Sequence, residues 1–250
     1  MTDNRRRHKY EIMGTVFSFV LSVSVTPETV RAVEAERDPI DRLFSTYRPD
    51  SQIARLNAGQ IRLAHCSMEV REVLAACAEA ERRTAGWFTA GYAAGIDPTG
   101  IVKGWAIRRA SDLLLAAGST CHAVNGGGDV LVVADPAAGG PWRVGVPAGT
   151  GPGGLLSVIT GHNFSVATSG NAERPGEIRN PFTGTPSLTW STLSVSGPDI
   201  VEADAFATAA VAMGRPAVAW LEGVPGYEAI AVDTAGQVFT TAGRSAICPA

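Results

Sequence analysis

Between Val16 and Val25 the segment VFSFVLSVSV alternates serine with apolar side chains, the period-two pattern of a half-buried strand. Thr26-Pro27-Glu28 then supplies an N-cap, a first-turn proline and an acid, which predict a helical region from Pro27 to Phe44 with a break near Pro39. STYRPDS (Ser45 to Ser51) reads as a loop, with Asp50 placed to cap a short helix ending at Asn57. Ser67 caps a predicted helix through Arg83, stopped by Gly86, and Val102 to Ala117 forms another, stopped by Gly118. From His122 onward the period shortens. VNGGGDVLVV, WRVGV, LLSVIT, NFSVAT and TLSVS read as strands separated by Gly/Pro turns. One strong helix, Val201 to Met213, interrupts them and closes at Gly214. A short helix from Pro216 to Leu221 and the strands EAIAV and QVFT finish the chain. Helices and strands are segregated rather than regularly alternating, which predicts an α+β fold. With no repeat or linker, one unit over residues 1–250 is expected.

Composition narrows the function classes. The 250 residues are 45% apolar and 18% charged, enough to build a sizeable core. Net charge is −3 and the only basic tract is Arg5-Arg6-Arg7. A nucleic-acid partner is not expected, because phosphate-backbone affinity needs a basic face. Those arginines and the apolar run after them imitate a signal peptide. The alternating serines and the lack of a small-residue cleavage site favour an internal strand instead. No other apolar run approaches the ~20 residues needed to span a bilayer, so the expectation is a cytoplasmic protein without a membrane partner. Cys66, Cys77, Cys121 and Cys248 form no Cys-x-x-Cys pair, and His8, His65, His122 and His162 form no His-Glu-x-x-His motif. Reduced, mostly buried thiols are expected, and no structural zinc.

Several glycine-rich segments are candidates for chemistry. Gly149, Gly151 and Gly154 satisfy G-x-G-x-x-G, but the segment contains Pro152 and runs into strand-like LLSVIT. A dinucleotide fingerprint must open a helix, so a hairpin loop is the better reading. DPTGIVKGWA (Asp97 to Ala106) is not a Walker A loop, since Gly104 rather than Ser or Thr follows Lys103. It still has the physics of an anion site at what reads as the mouth of a helix: glycines for close approach, unpaired N–H groups and a lysine. Taken alone, a solvated first-turn lysine is the plainer explanation. In VEADAFATAA, Asp204 and Thr208 are four residues apart, so carboxylate and hydroxyl share one face of an apolar helix. That pair is either a capping arrangement or a set of oxygen ligands for a hard cation such as Mg²⁺. NGGGDV (Asn125 to Val130) is a tight turn or a site, and ATSGNAERPGEIRNPFTG (Ala167 to Gly184) an exposed loop or a site.

The order of these pieces carries a resemblance. MGT at Met13, STYRPDS, DPTGIVKGWA, NGGGD, ATSGNAER, NPFTG and ADAFATAAVAMG together resemble the ApbE-type flavin transferases, the FAD:protein FMN transferases. The likeness runs from Met13 to Gly214 in the family's order. It implies an α+β fold with FAD in a central cleft. It implies Mg²⁺-dependent cleavage of FAD, release of AMP, and attachment of FMN to a Ser or Thr hydroxyl of an acceptor protein. By position, Met13, Tyr47, Asp97, Lys103 and Ile178 match the family's FAD contacts, with Trp87, Phe88 and Thr89 at a further contact segment. Gly100 (through its carbonyl), Asp204 and Thr208 match its metal ligands, and Lys103 becomes a phosphate-site lysine.

The chain also departs from the family. Where the family reads His-Ile-Ile-Asp-Pro, this sequence has Glu177-Ile178-Arg179-Asn180-Pro181. The histidine is the family's base toward the incoming hydroxyl, so the resemblance leaves Glu177 as the candidate base. Loss of transfer is the alternative, leaving a non-catalytic FAD-binding protein or an FAD pyrophosphatase. The family's GAFD-like segment is altered here to GWFTAG.

Overall fold

The computed structural model describes residues 5–22, 24–92, 95–137, 140–149 and 154–243. It opens on a hairpin, β1 (Arg6–Ile12) and β2 (Thr15–Leu21), with Ile12 opposite Thr15. Met13 and Gly14 between them have φ of 52° and 68°, the left-handed pair that a two-residue hairpin turn requires. β2 buries Phe17, Phe19 and Leu21 and leaves the intervening residues more exposed, as its alternation predicts. β1 escapes the pattern reading because Arg6, Arg7, His8, Lys9 and Glu11 crowd it with charge. It is an edge strand of the sheet, where charge blocks further pairing.

Next come α1 (Pro27–Ala35) and α2 (Arg37–Phe44). The break falls at Glu36 and not at Pro39. Pro39 lies in the first turn of α2, where a missing N–H leaves no hydrogen bond unmade. α3 (Gln52–Asn57) is capped by Ser51, whose Oγ accepts from the Ala54 N–H at 3.0 Å. Asp50, the expected cap, instead pairs with Arg48 at 2.8 Å. α4 (Met68–Arg83) starts at Ser67 as predicted. A two-strand ribbon, β3 (Gly91–Tyr92) and β4 (Gly95–Ile96), leads into α5 (Thr99–Ala116). This helix begins three residues before the expected start, so Lys103 stands in its second turn rather than at its mouth.

The second half holds β5 (Cys121–Gly126), β6 (Asp129–Ala134), β7 (Trp142–Pro147), β8 (Leu155–Gly161), β9 (Phe164–Gly170) and β10 (Trp190–Gly197). α6 (Ile200–Met213), α7 (Ala217–Glu222), β11 (Glu228–Asp233) and β12 (Val238–Thr240) complete it. Eight strands form one antiparallel sheet in the order β1-β2-β5-β6-β9-β10-β11-β12. α5 and α6 pack together on one face, with α1, α2 and α4 against them as an outer layer. α6 is apolar nearly all round and buried accordingly. The β7–β8 hairpin covers the other face through Trp142, Val146 and Ile159. The result is a compact α+β unit.

Gly149 and Gly154 flank the turn between β7 and β8, closed by a bond from the Ala148 N–H to the Gly154 carbonyl at 2.8 Å. Gly151 lies outside the described residues. The glycine pattern thus joins strand to strand. Cys66 and Cys77 are buried free thiols and Cys121 is half-buried, while Cys248 lies outside the described residues. Burial pushes the Cys77 thiol up to about 12. No helix among the described residues is long and apolar enough to cross a membrane.

Candidate active site

α5 and α6 approach closely at Gly104. A Cβ there would lie 3.0 Å from the Ile200 carbonyl oxygen and 3.0 Å from Val201 Cα. The contact brings the Gly104 N–H to Asp204, whose Oδ2 accepts from it at 3.1 Å. In an α-helix that N–H belongs to the turn whose carbonyl is Gly100. The Gly100 backbone and the Asp204 carboxylate are therefore neighbours across the helix pair. Gly100 is itself tightly packed, since a Cβ there would meet the Phe88 ring at 2.9 Å.

Lys103 reaches two carboxylates from the second turn of α5. Its Nζ is 2.5 Å from Asp129 Oδ2 and 3.4 Å from Asp204 Oδ1. Asp129 is fully buried at the head of β6, directly after the Gly127-Gly128 turn. Its Oδ1 accepts from the Thr168 N–H of β9 at 2.9 Å. Its Oδ2 accepts no aligned hydrogen bond and is held by the lysine charge alone. Burial pulls the Lys103 ammonium down, but Asp204 and Asp129 outweigh it and hold the group above the ordinary lysine value. Burial pushes the Asp204 carboxyl above the usual carboxylate range; Lys103 opposes the rise and Asp129 adds to it.

Thr208 lies one turn beyond Asp204, its Oγ1 3.5 Å from Ser169 Oγ on β9. Among the described residues no three His, Cys, Asp or Glu side chains cluster as a metal site. The donors here are carboxylate, hydroxyl and carbonyl oxygens, a set that suits a hard divalent cation without nitrogen or sulfur. The buried Oδ2 of Asp129 is met by the Lys103 ammonium at 2.5 Å, so two carboxylates here share one lysine.

The loop that joins β9 to β10 leaves the sheet at Gly170, directly after Ser169, the hydroxyl partner of Thr208. Asn171 organises it: Nδ2 donates to the carbonyls of Ser187 (2.8 Å) and Trp190 (2.9 Å), and Oδ1 accepts from the Gly176 N–H at 2.8 Å. Ser187 Oγ donates to the Val211 carbonyl at 2.6 Å, which fastens the loop to α6. Ile178 is half-buried against the core, whereas the Glu177 side chain is 58% exposed and pairs with Arg174 at 3.4 Å. Phe182 crosses back to Trp87 in an edge contact of 4.9 Å.

The other candidates lie as follows. Met13 occupies the β1–β2 turn, and the neighbouring Gly127 N–H donates to the Val16 carbonyl, so this turn and the Asp129 turn share one end of the sheet. Asp97 Oδ1 accepts from the Thr99 N–H at 3.0 Å, just ahead of α5, whose N-cap position is Pro98. Thr89 Oγ1 accepts from the Gly91 N–H at 3.0 Å. Phe88 is buried in the core, and Tyr47, between α2 and α3, is 96% exposed. Lys103, Asp204 and the Gly100 turn of α5 thus come together, with Thr208 one turn further along α6, while Glu177 and Ile178 lie on the loop that Ser187 fastens to α6. No described contact joins Tyr47 to the cluster. Sequence reasoning left Asp129 without a role. Its signal was an acid directly after a glycine turn at the head of an apolar strand, a position that buries it.

The description "ApbE family" belongs to the family model that matches residues 13–95 and 89–231. No curated protein matches the sequence. The fold is similar to the flavin transferase ApbE from Vibrio cholerae, with a TM-score of 0.79 at 17% identity over 97% of this chain and 99% of that one. It is similar to the Pseudomonas stutzeri flavinyl transferase ApbE, with 0.83 at 20% identity over 99% and 98%. The Thermotoga maritima ApbE protein gives 0.88 at 21% identity over 98% and 100%. Nearly the whole chain is covered by these matches, and it belongs to the ApbE family.

Proposed function

We propose that this chain is an FAD:protein FMN transferase that moves FMN from FAD to a Ser or Thr hydroxyl of an acceptor protein and releases AMP. The observation that carries the reading is the Lys103 ammonium held between Asp129 and Asp204 in a chain of this family. A half-buried cation beside oxygen donors is what a diphosphate-cleaving site needs. The FAD diphosphate sets against Lys103. The acceptor oxygen bonds to the phosphorus of the FMN half while that phosphorus loses its bond to the bridging oxygen. AMP leaves with the electron pair, and the hydroxyl proton passes to the Glu177 carboxylate. The Gly100 carbonyl, Asp204 and Thr208 would hold Mg²⁺, which when bound neutralises phosphoryl charge. Tyr47 offers an open ring face for stacking on the flavin, and Met13, Trp87, Phe88, Thr89, Asp97 and Ile178 shape the walls of the FAD cleft. The reading takes residues 1–250 as one catalytic unit acting in the cytoplasm.

Glu177 favours a second reading. It stands exposed where the family reads histidine, so the same cleft could bind FAD without transfer or hydrolyse it with water. Incubation with FAD, Mg²⁺ and an acceptor bearing a flavinylation-type Ser/Thr motif separates the cases. Transfer raises the acceptor mass by FMN. AMP with free FMN indicates hydrolysis, and bound intact FAD indicates a binder; either result removes the transferase reading.

A further inference from the structure

Asp129 is buried, charged and unaccounted for by the reaction just proposed. It sits on β6, whereas the foreseen cation donors sit on α5 and α6. One oxygen is committed to the Thr168 N–H and the other faces Lys103 alone. The lysine is nearer Asp129 (2.5 Å) than Asp204 (3.4 Å), although both carboxylates are within its reach. A lone Asp204 would draw the ammonium fully onto itself, because opposite charges at short range in a poorly hydrated site attract strongly. That would place Lys103 in the space a divalent cation needs. The β6 strand, anchored in the sheet by the Val130–Val166 register, gives Asp129 a fixed position from which to hold the lysine back.

We infer that Asp129 is a positioning residue: it tethers Lys103 away from Asp204, and so sets how readily the Asp204 carboxylate takes a divalent cation. The inference rests on the transferase reading for the identity of the cation, but its test does not require turnover. Asp129→Asn keeps the shape and the acceptor for Thr168 while removing the charge that holds Lys103.

The experiment is Mn²⁺ binding to FAD-free protein, followed by the spectrum of free Mn²⁺, in wild type, Asp129→Asn, Lys103→Met and the double variant. Asp204→Ala defines the site. In the wild-type background Asp129→Asn is expected to weaken Mn²⁺ about tenfold, a coupling of ordinary size for residues in contact. In the Lys103→Met background the same change is expected to cost less than about threefold, because no ammonium remains to swing. Lys103→Met alone should tighten Mn²⁺. If Asp129→Asn weakens binding equally in both backgrounds, its charge acts directly and the tether is wrong. If Asp129→Asn fails to fold, Lys103→Met still decides: unchanged or weaker Mn²⁺ binding overturns the inference. Should wild type bind no Mn²⁺ that Asp204→Ala abolishes, the cation assignment falls together with the tether. Intact FMN transfer with no difference between the backgrounds removes the tether alone.

Discussion

Asp204 and Glu177 sit in opposite surroundings, and their substitutions should behave differently. Asp204 is buried, receives the Gly104 N–H and faces Lys103. Asp204→Ala is expected to abolish Mg²⁺-dependent release of AMP from FAD, followed by chromatography, while the circular-dichroism spectrum is retained. Thr208→Val keeps the shape and removes a neutral donor, so the Mg²⁺ concentration for half-maximal rate should rise with less loss of maximal rate. Wild-type rates in both variants would make the pair structural. Glu177 is exposed and pairs with the likewise exposed side chain of Arg174. If it is the base, Glu177→Gln should slow acceptor flavinylation by about 10²–10⁴-fold, the usual contribution of a positioned proton acceptor. Glu177→His restores the family's residue on a backbone held by Asn171 and should flavinylate faster than Glu177→Gln. Equal, non-zero rates for all three proteins would remove this position from the mechanism.

At the scale of elements, the site depends on how closely α5 and α6 approach. Gly104 is a helix-interior glycine, which costs roughly 1 kcal/mol against alanine in propensity. That cost is accepted because any side chain would press on the backbone of Ile200 and Val201. Gly104→Val should destabilise the protein by about 2–3 kcal/mol through overpacking, read as a shift in urea midpoint. It should also weaken Mg²⁺-dependent activity, since the helices must part where Asp204 meets Lys103. An unchanged midpoint would show that the helix pair is softer than its contacts indicate. The hairpin turns at Met13-Gly14 and Gly127-Gly128 work at the same scale, lying together at one end of the sheet and setting Asp129 at the buried head of β6.

The whole molecule carries a pH dependence through His122. This side chain is fully buried between Ser111 Oγ (2.8 Å to Nε2) on α5 and Ser119 Oγ (3.0 Å to Nδ1). Burial lowers its pKa from 6.5 to about 4, so the folded state holds it neutral. Between those values the unfolded chain binds the proton and the folded chain does not. Stability is therefore highest above 6.5 and falls as pH drops toward 4, by about 3 kcal/mol from this group. Urea unfolding from pH 4 to 8 should show the fall in wild type and a shallower one in His122→Gln. Parallel curves would assign the acid sensitivity elsewhere.

Local periodicity and capping chemistry suffice to place α4, α6 and the later strands, because each buries one face or is apolar throughout and is stopped by glycine or proline; β2 keeps the expected alternation but ends at Leu21, short of Val25. The segregation of these elements also makes the α+β class legible, and the seven motifs in order make the family legible. What the chain alone leaves open are matters of long range. β1 is invisible because charged residues crowd this edge strand and mask its pattern. The break at Glu36 and the cap at Ser51 turn on which neighbouring hydroxyl or carbonyl is closer. Lys103 reads as a helix-mouth residue, whereas α5 starts at Thr99 and puts it one turn in. Its true partners lie 26 and 101 residues away in sequence, on β6 and α6. Only the tertiary structure could pair them, because the sheet and the α5–α6 contact, rather than any local pattern, bring two carboxylates to one ammonium.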